Sequence, residues 1–373
     1  MSARMHGFGV TLLLAASASL LLAACTPPGA EPSPAPTSET SEPDPTPTSE
    51  AEVVSAPEPA LDADCSDLAS TASVISALGA GISAVDPAES TMGAYPVISP
   101  SYFVRSLGGL ACEWSNGQPQ SNRAGSNPAY VGARVVVLPN ATGQWTRYLD
   151  YYGPEGEGTF CSGGYCSVDA YVGTTWVHVQ MSGATSDAAA AALGAEIVAA
   201  VSAAGPGAAP WAVPAEPQPL PADCPSLISD TDVQASLGIG VPLVATTAAG
   251  GWSIEAGAED NWQGPACHWS FLDADAGVGG LTTLVAGKWA WDEARELLTV
   301  PSTPVAVLIA GLDAGDEAWL RCDAADSTCL VDLVIGGNWI QVHVWPDDVM
   351  GTSYDRRAGA LAIAERIVAN ITP

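Results

Sequence analysis

LDADCSDLASTASVISALGAGI, residues 61–82, and LPADCPSLISDTDVQASLGIGV, residues 220–241, align without a gap, Leu61 falling on Leu220. Asp64-Cys65, Leu68, Ser70, Val74 and Leu78-Gly79 of the first recur as Asp223-Cys224, Leu227, Ser229, Val233 and Leu237-Gly238 of the second. In each, a hydroxyl residue (Ser70 or Thr71, Ser229 or Thr231) can cap a helix that a glycine, Gly79 or Gly238, then stops. Two further blocks follow in the same order. ACEWS at 111–115 returns as ACHWS at 266–270, and CSVDAYVGTTWVHV at 166–179 returns as CLVDLVIGGNWIQV at 329–342. Repeated blocks in one order with slightly drifting spacing are the mark of a duplicated domain with altered loops. The chain therefore divides into repeat 1 (61–204), a Pro/Gly-rich linker (205–219) that cannot continue a helix, and repeat 2 (220–373).

Apolar β-formers at 129–138 and 281–286 read as strands, and short helices are expected near 145–152 and 289–298. Alanine-rich helices close the copies at 186–204 and 353–371. The predicted fold class is α+β: two tandem homologous domains, each an antiparallel sheet of five or six strands with two or three helices, mainly on one face. Gly173-Thr174 and Gly336-Gly337 fit two-residue hairpin turns. That register sets Asp169 opposite His178 and Tyr171 opposite Trp176, and Asp332 opposite Gln341 and Val334 opposite Trp339.

Nine cysteines sort as one plus four plus four. Pairing first with second and third with fourth joins Cys65 to Cys112, Cys161 to Cys166, Cys224 to Cys267 and Cys322 to Cys329. The same order in both copies and the short third-to-fourth loop favour this connectivity among the three possible for four cysteines. Zinc is the rival use, but neither copy has paired C-x-x-C spacing. No metal and no cofactor is expected: the histidines after residue 25 (His178, His268, His343) sit in separate segments, and Asp273-x-Asp275-x-Gly277 starts a calcium-like loop without its closing glutamate.

The unpaired Cys25 belongs to the N-terminus. Arg4 precedes an apolar run from Phe8 to Ala24, and Leu22-Ala23-Ala24-Cys25 resembles a bacterial lipobox, which makes 1–24 a lipoprotein signal peptide and Cys25 the lipidated residue. Residues 25–60, rich in Pro, Ser, Thr and Glu, read as a disordered tether. Cell-membrane localisation, lipid-anchored on the extracytoplasmic side, follows, as does an environment in which disulfides form. A formal net charge of -30, with Lys288 the single lysine, disfavours nucleic acid as a partner.

The lipobox, the tether, Asp64-Cys65-Ser66-Asp67-Leu68 with Cys112-Glu113-Trp114, and Asp223-Cys224-Pro225-Ser226-Leu227 with Cys267-His268-Trp269 resemble actinobacterial lipoproteins of unknown function, including the mycobacterial LpqN-like group. The resemblance implies a PsbP-like antiparallel sheet flanked by helices and no assigned activity. It is similar in disulfide layout to extracellular sensor domains of mycobacterial serine/threonine kinases, which implies ligand or partner binding in the envelope.

Strand alternation puts Val177, Val179 and Met181, and Ile340, Val342 and Val344, toward the cores. The opposite faces carry Trp176, His178 and Gln180 in repeat 1 and Trp339, Gln341, His343 and Trp345 in repeat 2. These seven residues are the expected ligand-binding surface, because indole rings stack on sugars or lipids while amides and imidazoles hydrogen-bond. The competing reading is that loops or a helix cover this face. Repeat 2, with eight of the twelve tryptophans, Trp252 and Trp262 among them, is the first place to look. Asp169 with His178 is two thirds of a hydrolytic triad, but no G-x-S-x-G supplies a nucleophile and repeat 2 replaces His178 by Gln341. The expectation is a non-enzymatic binder of an envelope glycan, lipid or protein partner; an accessory or scaffold subunit is the alternative, and an envelope hydrolase the weaker one.

Overall fold

The computed structural model describes residues 55–94, 97–122, 125–213, 216–247, 253–262, 264–272, 277–298, 303–323, 328–346 and 353–372. The signal peptide, Cys25, the tether up to residue 54, Trp252 and the Asp273-x-Asp275 turn lie outside them, and of Trp262 only the backbone is described.

Repeat 1 begins with α1 (Cys65–Leu68) and α2 (Thr71–Leu78). Asp64 and Asp67 form a capping box on α1, Ser70 caps α2 by accepting from Ser73 N, and Gly79 ends α2 at φ 97°. There follow β1 (Ser83–Val85), α3 (Pro87–Ala94), α4 (Pro100–Ser106), β2 (Leu110–Ser115), the short ribbon β3 (Ser121–Asn122) and β4 (Gly125–Ser126), β5 (Gly132–Leu138), α5 (Thr142–Tyr152), β6 (Gly158–Ser162), β7 (Tyr165–Val172), β8 (Thr175–Ser182) and α6 (Asp187–Ala203). Repeat 2 consists of α7 (Cys224–Leu227), α8 (Asp230–Leu237), β9 (Leu243–Thr247), α9 (Ile254–Trp262), β10 (Cys267–Phe271), β11 (Gly277–Leu284), α10 (Lys288–Leu297), β12 (Val305–Ala306), β13 (Glu317–Cys322), β14 (Cys329–Ile335), β15 (Asn338–Val344) and α11 (Arg356–Ile371).

The fold is α+β, with one large antiparallel sheet in each repeat beside the β3–β4 ribbon. The strand orders are β1-β2-β5-β8-β7-β6 and β9-β10-β11-β15-β14-β13-β12, so the second sheet is the first with β12 added outside β13. A finer likeness supports the duplication. Asn140 (φ 54°) and Ala286 (φ 51°), the non-glycine residues with positive φ among those described, stand at the same place in the two copies, between a strand and the helix after it. The disulfides join Cys65 to Cys112, Cys161 to Cys166, Cys224 to Cys267 and Cys322 to Cys329. Their 47- and 43-residue separations enclose loops worth about 4 kcal/mol each in the chain-entropy account.

One core per repeat lies where expected. Val177, Val179 and Met181 pack under Leu68, Val74, Leu193 and Ile197 from α1, α2 and α6. Ile340, Val342 and Val344 pack under Leu227, Val233, Ile363 and Ile367 from α7, α8 and α11. Helices are not confined to that face, however. α4, α5, α9 and α10 lie between the opposite faces of the two sheets, and their side chains form a third core drawn from both repeats. α3, α4 and α9 are additions to the predicted elements. α4 carries a readable signal, since Ser99 caps it and Pro100 occupies its first turn.

Two boundaries also differ. Pro57 is buried, and Pro59 and Ala60 accept from Ala208 N and Gly207 N, so the folded part starts inside the stretch read as tether. The linker is likewise held: Gln218 N donates to Gly336 O, and Asn338 Nδ2 to Gln218 O.

Candidate functional site

The two hairpins have the predicted register, Asp169 opposite His178 and Asp332 opposite Gln341. In each, the aspartate gathers the neighbouring donors. Asp169 Oδ1 accepts from Trp176 Nε1 at 3.0 Å and lies 2.9 Å from His178 Nδ1. Asp332 Oδ1 accepts from Trp339 Nε1 at 3.0 Å and Gln341 Nε2 at 2.7 Å, while Oδ2 accepts from Arg321 Nε at 2.7 Å. Arg321 and Asp332 are both fully buried, so the charges compensate each other. Burial works to lower the His178 pKa, but the hydrogen bond and charge of Asp169 outweigh it and raise it from its usual value.

These faces are not open. Trp176, Trp339 and Gln341 are 1%, 0% and 1% exposed, which corrects the expectation that they form a solvent-facing surface. His178, Gln180, His343 and Trp345 keep partial exposure. The cover is the other repeat, together with each copy's own helices. Tyr102 of α4 makes edge contacts with Trp289 and Trp339, at 5.6 and 5.8 Å between ring centroids. Ile98 N donates to Gln341 Oε1 across the repeats. In the reverse direction, α9 lies against repeat 1 closely enough that a Cβ on Gly257 would stand 3.0 Å from Gln144 Cγ. Trp145 packs edge-on to Trp176 just as Trp291 tilts against Trp339. Arg105 seals the rim with a two-pronged bond to Glu293 (2.6 and 3.0 Å) and its guanidinium 4.7 Å from the Trp289 ring.

Beyond this apolar layer the two sheets diverge. Repeat 1 has a polar row, Glu113–Arg134–Gln180, bridged by Gln120 and closed by Ser90 and Tyr130 on Glu113. Repeat 2 has His268–Gly280–His343 in the same row. Trp345 lies against both imidazoles, with centroids 5.4 and 4.7 Å away. Burial, then the charge of His268, pushes the His343 pKa down to about 3. Two imidazoles make no metal site by themselves, and among the described residues no group of three or more His, Cys, Asp or Glu could hold a metal ion.

Nor is a nucleophilic triad assembled at these aspartates and histidines. Ser167 Oγ approaches Asp169 Oδ2 (3.4 Å) rather than His178, and Ser270 Oγ lies 3.1 Å from His268 Nδ1, for which no carboxylate partner is present among the described contacts.

Among the described residues, a cleft of about 350 Å³ opens between the repeats where α4, β5, α5, the linker and α9 meet. Leu107, Leu138, Pro139, Pro210 and Trp211 form its apolar walls, and Asn140, Gln144 and Asn261 supply amides. Ser106 lines it too; it is 2% exposed, and its buried hydroxyl has no hydrogen-bond partner. One turn back on α4, the Tyr102 hydroxyl is in the same condition, as are the indole N–H groups of Trp289 and Trp291 in the same layer. Buried polar atoms are normally paired; of these four, only the Ser106 hydroxyl belongs to a residue that lines the cleft. The cleft was missed in the sequence because its walls come from five separate segments; Trp211, an aromatic in a Pro/Gly-rich linker, was its one visible trace.

Compared with protein-family models, with curated proteins and with solved structures, the chain matches none.

Proposed function

We propose that this protein is a lipid-anchored, extracytoplasmic lipoprotein that binds an uncharged, polyhydroxylated cell-envelope ligand, of the glycan class, in the cleft between its repeats, and performs no catalysis. The observation that carries the reading is the composition of the cleft. In a chain of formal net charge -30, the described residues of its lining include no charged side chain; they are apolar walls with Trp211, three amides and a buried hydroxyl. An indole wall with amide hydrogen bonds suits the alternating apolar and hydroxyl-bearing faces of a sugar ring. The four disulfides agree with an oxidising compartment, and Cys25, at the end of the apolar run from Phe8 to Ala24, supplies the attachment in this reading.

The test is titration of the purified chain with neutral envelope oligosaccharides, followed by indole fluorescence and calorimetry. Saturable binding that falls by about tenfold or more in Trp211→Ala and weakens in Ser106→Ala is expected. Binding indifferent to both substitutions, or confined to anionic ligands, removes the reading. Anchoring is checked separately: Cys25→Ala moves the protein from the membrane to the soluble fraction.

A further inference from the structure

We infer that the free edge of β6 in repeat 1 is a docking site for an extended, basic segment of a partner protein, which pairs with it as an additional strand. Repeat 2 supplies the internal precedent. There the corresponding edge, β13, is already covered: β12 pairs with it, Val305 opposite Leu320, and Val307 N donates to Ala318 O at 2.9 Å. The covering strand comes from the residues between α10 and β13, 298–316; in repeat 1 only 153–157 join α5 to β6, and no described strand covers that edge.

The register shows which groups are on offer. Gly163-Gly164 is a two-residue turn with both φ values positive, so Ser162 and Tyr165 form the hydrogen-bonded pair that closes it. Alternation makes Cys161–Cys166 and Thr159–Val168 the non-hydrogen-bonded pairs, which the 4.1 Å Cα separation across the first of them fits. Thr159 and Cys161 therefore aim their main-chain N–H and C=O groups away from β7. Aligned on the disulfides, Thr159 stands where Leu320 faces β12.

The surroundings indicate what would bind. Eight large apolar or aromatic side chains are exposed among the described residues, and four of them, Tyr151, Tyr152, Phe160 and Tyr165, gather at this edge and at the end of α5. Exposed carboxylates of Asp150, Glu155 and Glu157 flank them. Main-chain groups give affinity in strand addition, and alternate side chains give specificity. Here an acidic, aromatic rim selects arginine or lysine, and tyrosine faces attract guanidinium. The same acidity opposes pairing with a second copy of this chain. This inference is independent of the glycan cleft.

The experiment uses the full chain and two synthetic heptapeptides, one alternating arginine with valine and one alternating glutamate with valine. Calorimetry should show binding of the basic peptide alone, at least about tenfold weaker in Thr159→Pro. Proline at an outward-facing edge position removes the donor without removing a ladder bond; equal melting temperatures confirm that the fold is kept, and Phe160→Ser serves as a second variant. Hydrogen exchange should slow at Thr159 and Cys161 on binding. Trp211→Ala should bind the peptide as the parent chain does. Absence of binding by the basic peptide, equal binding by the acidic one, or equal affinity in Thr159→Pro and Phe160→Ser overturns the proposal. So does a concentration-dependent dimer that Thr159→Pro dissociates, which would make a second copy the occupant.

Discussion

At the scale of single residues, duplication has run an exchange of side chains on one scaffold: His178 stands where Gln341 does, and Gln180 where His343 does. Their titrations oppose each other. His178 has a raised pKa, so its contribution to stability is full below the ordinary value of 6.5 and is lost as pH rises through the raised value. His343, pushed down to about 3, takes up a proton on unfolding, so its presence lowers stability as pH falls from 6.5 toward 3. His178→Gln should therefore remove a fall in urea midpoint on the alkaline side of 6.5, and His343→Gln should remove one on the acid side, each measured as the difference from the parent chain between pH 4 and 9. The aspartates differ in a comparable way. Asp332→Asn removes the carboxylate that pairs with the fully buried Arg321 and should cost about 3–5 kcal/mol by denaturant unfolding. Asp169→Asn, beside a part-exposed His178, should cost less. Equal losses would mean that Arg321 finds its compensation elsewhere.

At the scale of elements, the hairpins were legible because turn chemistry and alternation are local: Gly173-Thr174 and Gly336-Gly337 fix which residues oppose each other, and those pairs are present. What covers a strand face is not a local property. Alternation separated Trp176 from Val177 correctly, but the residues that bury Trp176 and Trp339 come from distant helices, partly in the other copy. α9 shows why such an element escapes notice. It is short, it holds Gly257 where close approach is needed, and it places Glu255, Glu259 and Asp260 near one another. Burial, then the charges of Glu255 and Asp260, lifts the Glu259 pKa to about 7. Folding is then opposed increasingly as pH rises from 4.5 through 7, because the folded carboxyl holds its proton longer than the unfolded one. Glu259→Gln should stabilise the fold at pH 8 by on the order of 1 kcal/mol, read as a higher melting temperature, and leave it unchanged at pH 4. An equal gain at both pH values would point to helix propensity instead of charge.

At the scale of the molecule, each repeat completes the other. A sheet with one face packed under α1, α2 and α6, or α7, α8 and α11, still presents tryptophans on its second face, and a large exposed apolar patch on a soluble domain invites association. Duplication resolves this by setting the two second faces toward each other across α4, α5, α9 and α10, with Tyr102 between Trp289 and Trp339 and Arg105 clasping Glu293. The chain should accordingly unfold as a unit rather than repeat by repeat. Repeat 2 expressed alone (220–373) would lose the Tyr102 cover of Trp289 and Trp339, both at most 2% exposed, and should aggregate. A protease site placed after Val213 cuts between the linker bonds to Ala60 and to Gly336, so the halves should co-elute after cleavage in native buffer. Tyr102→Ala with Arg105→Ala should let them separate, because an aromatic anchor and its clasp are removed together. Soluble monomeric halves melting independently of one another would show instead that each repeat is a finished domain, and that the tryptophan layer between them contributes little to the stability of either.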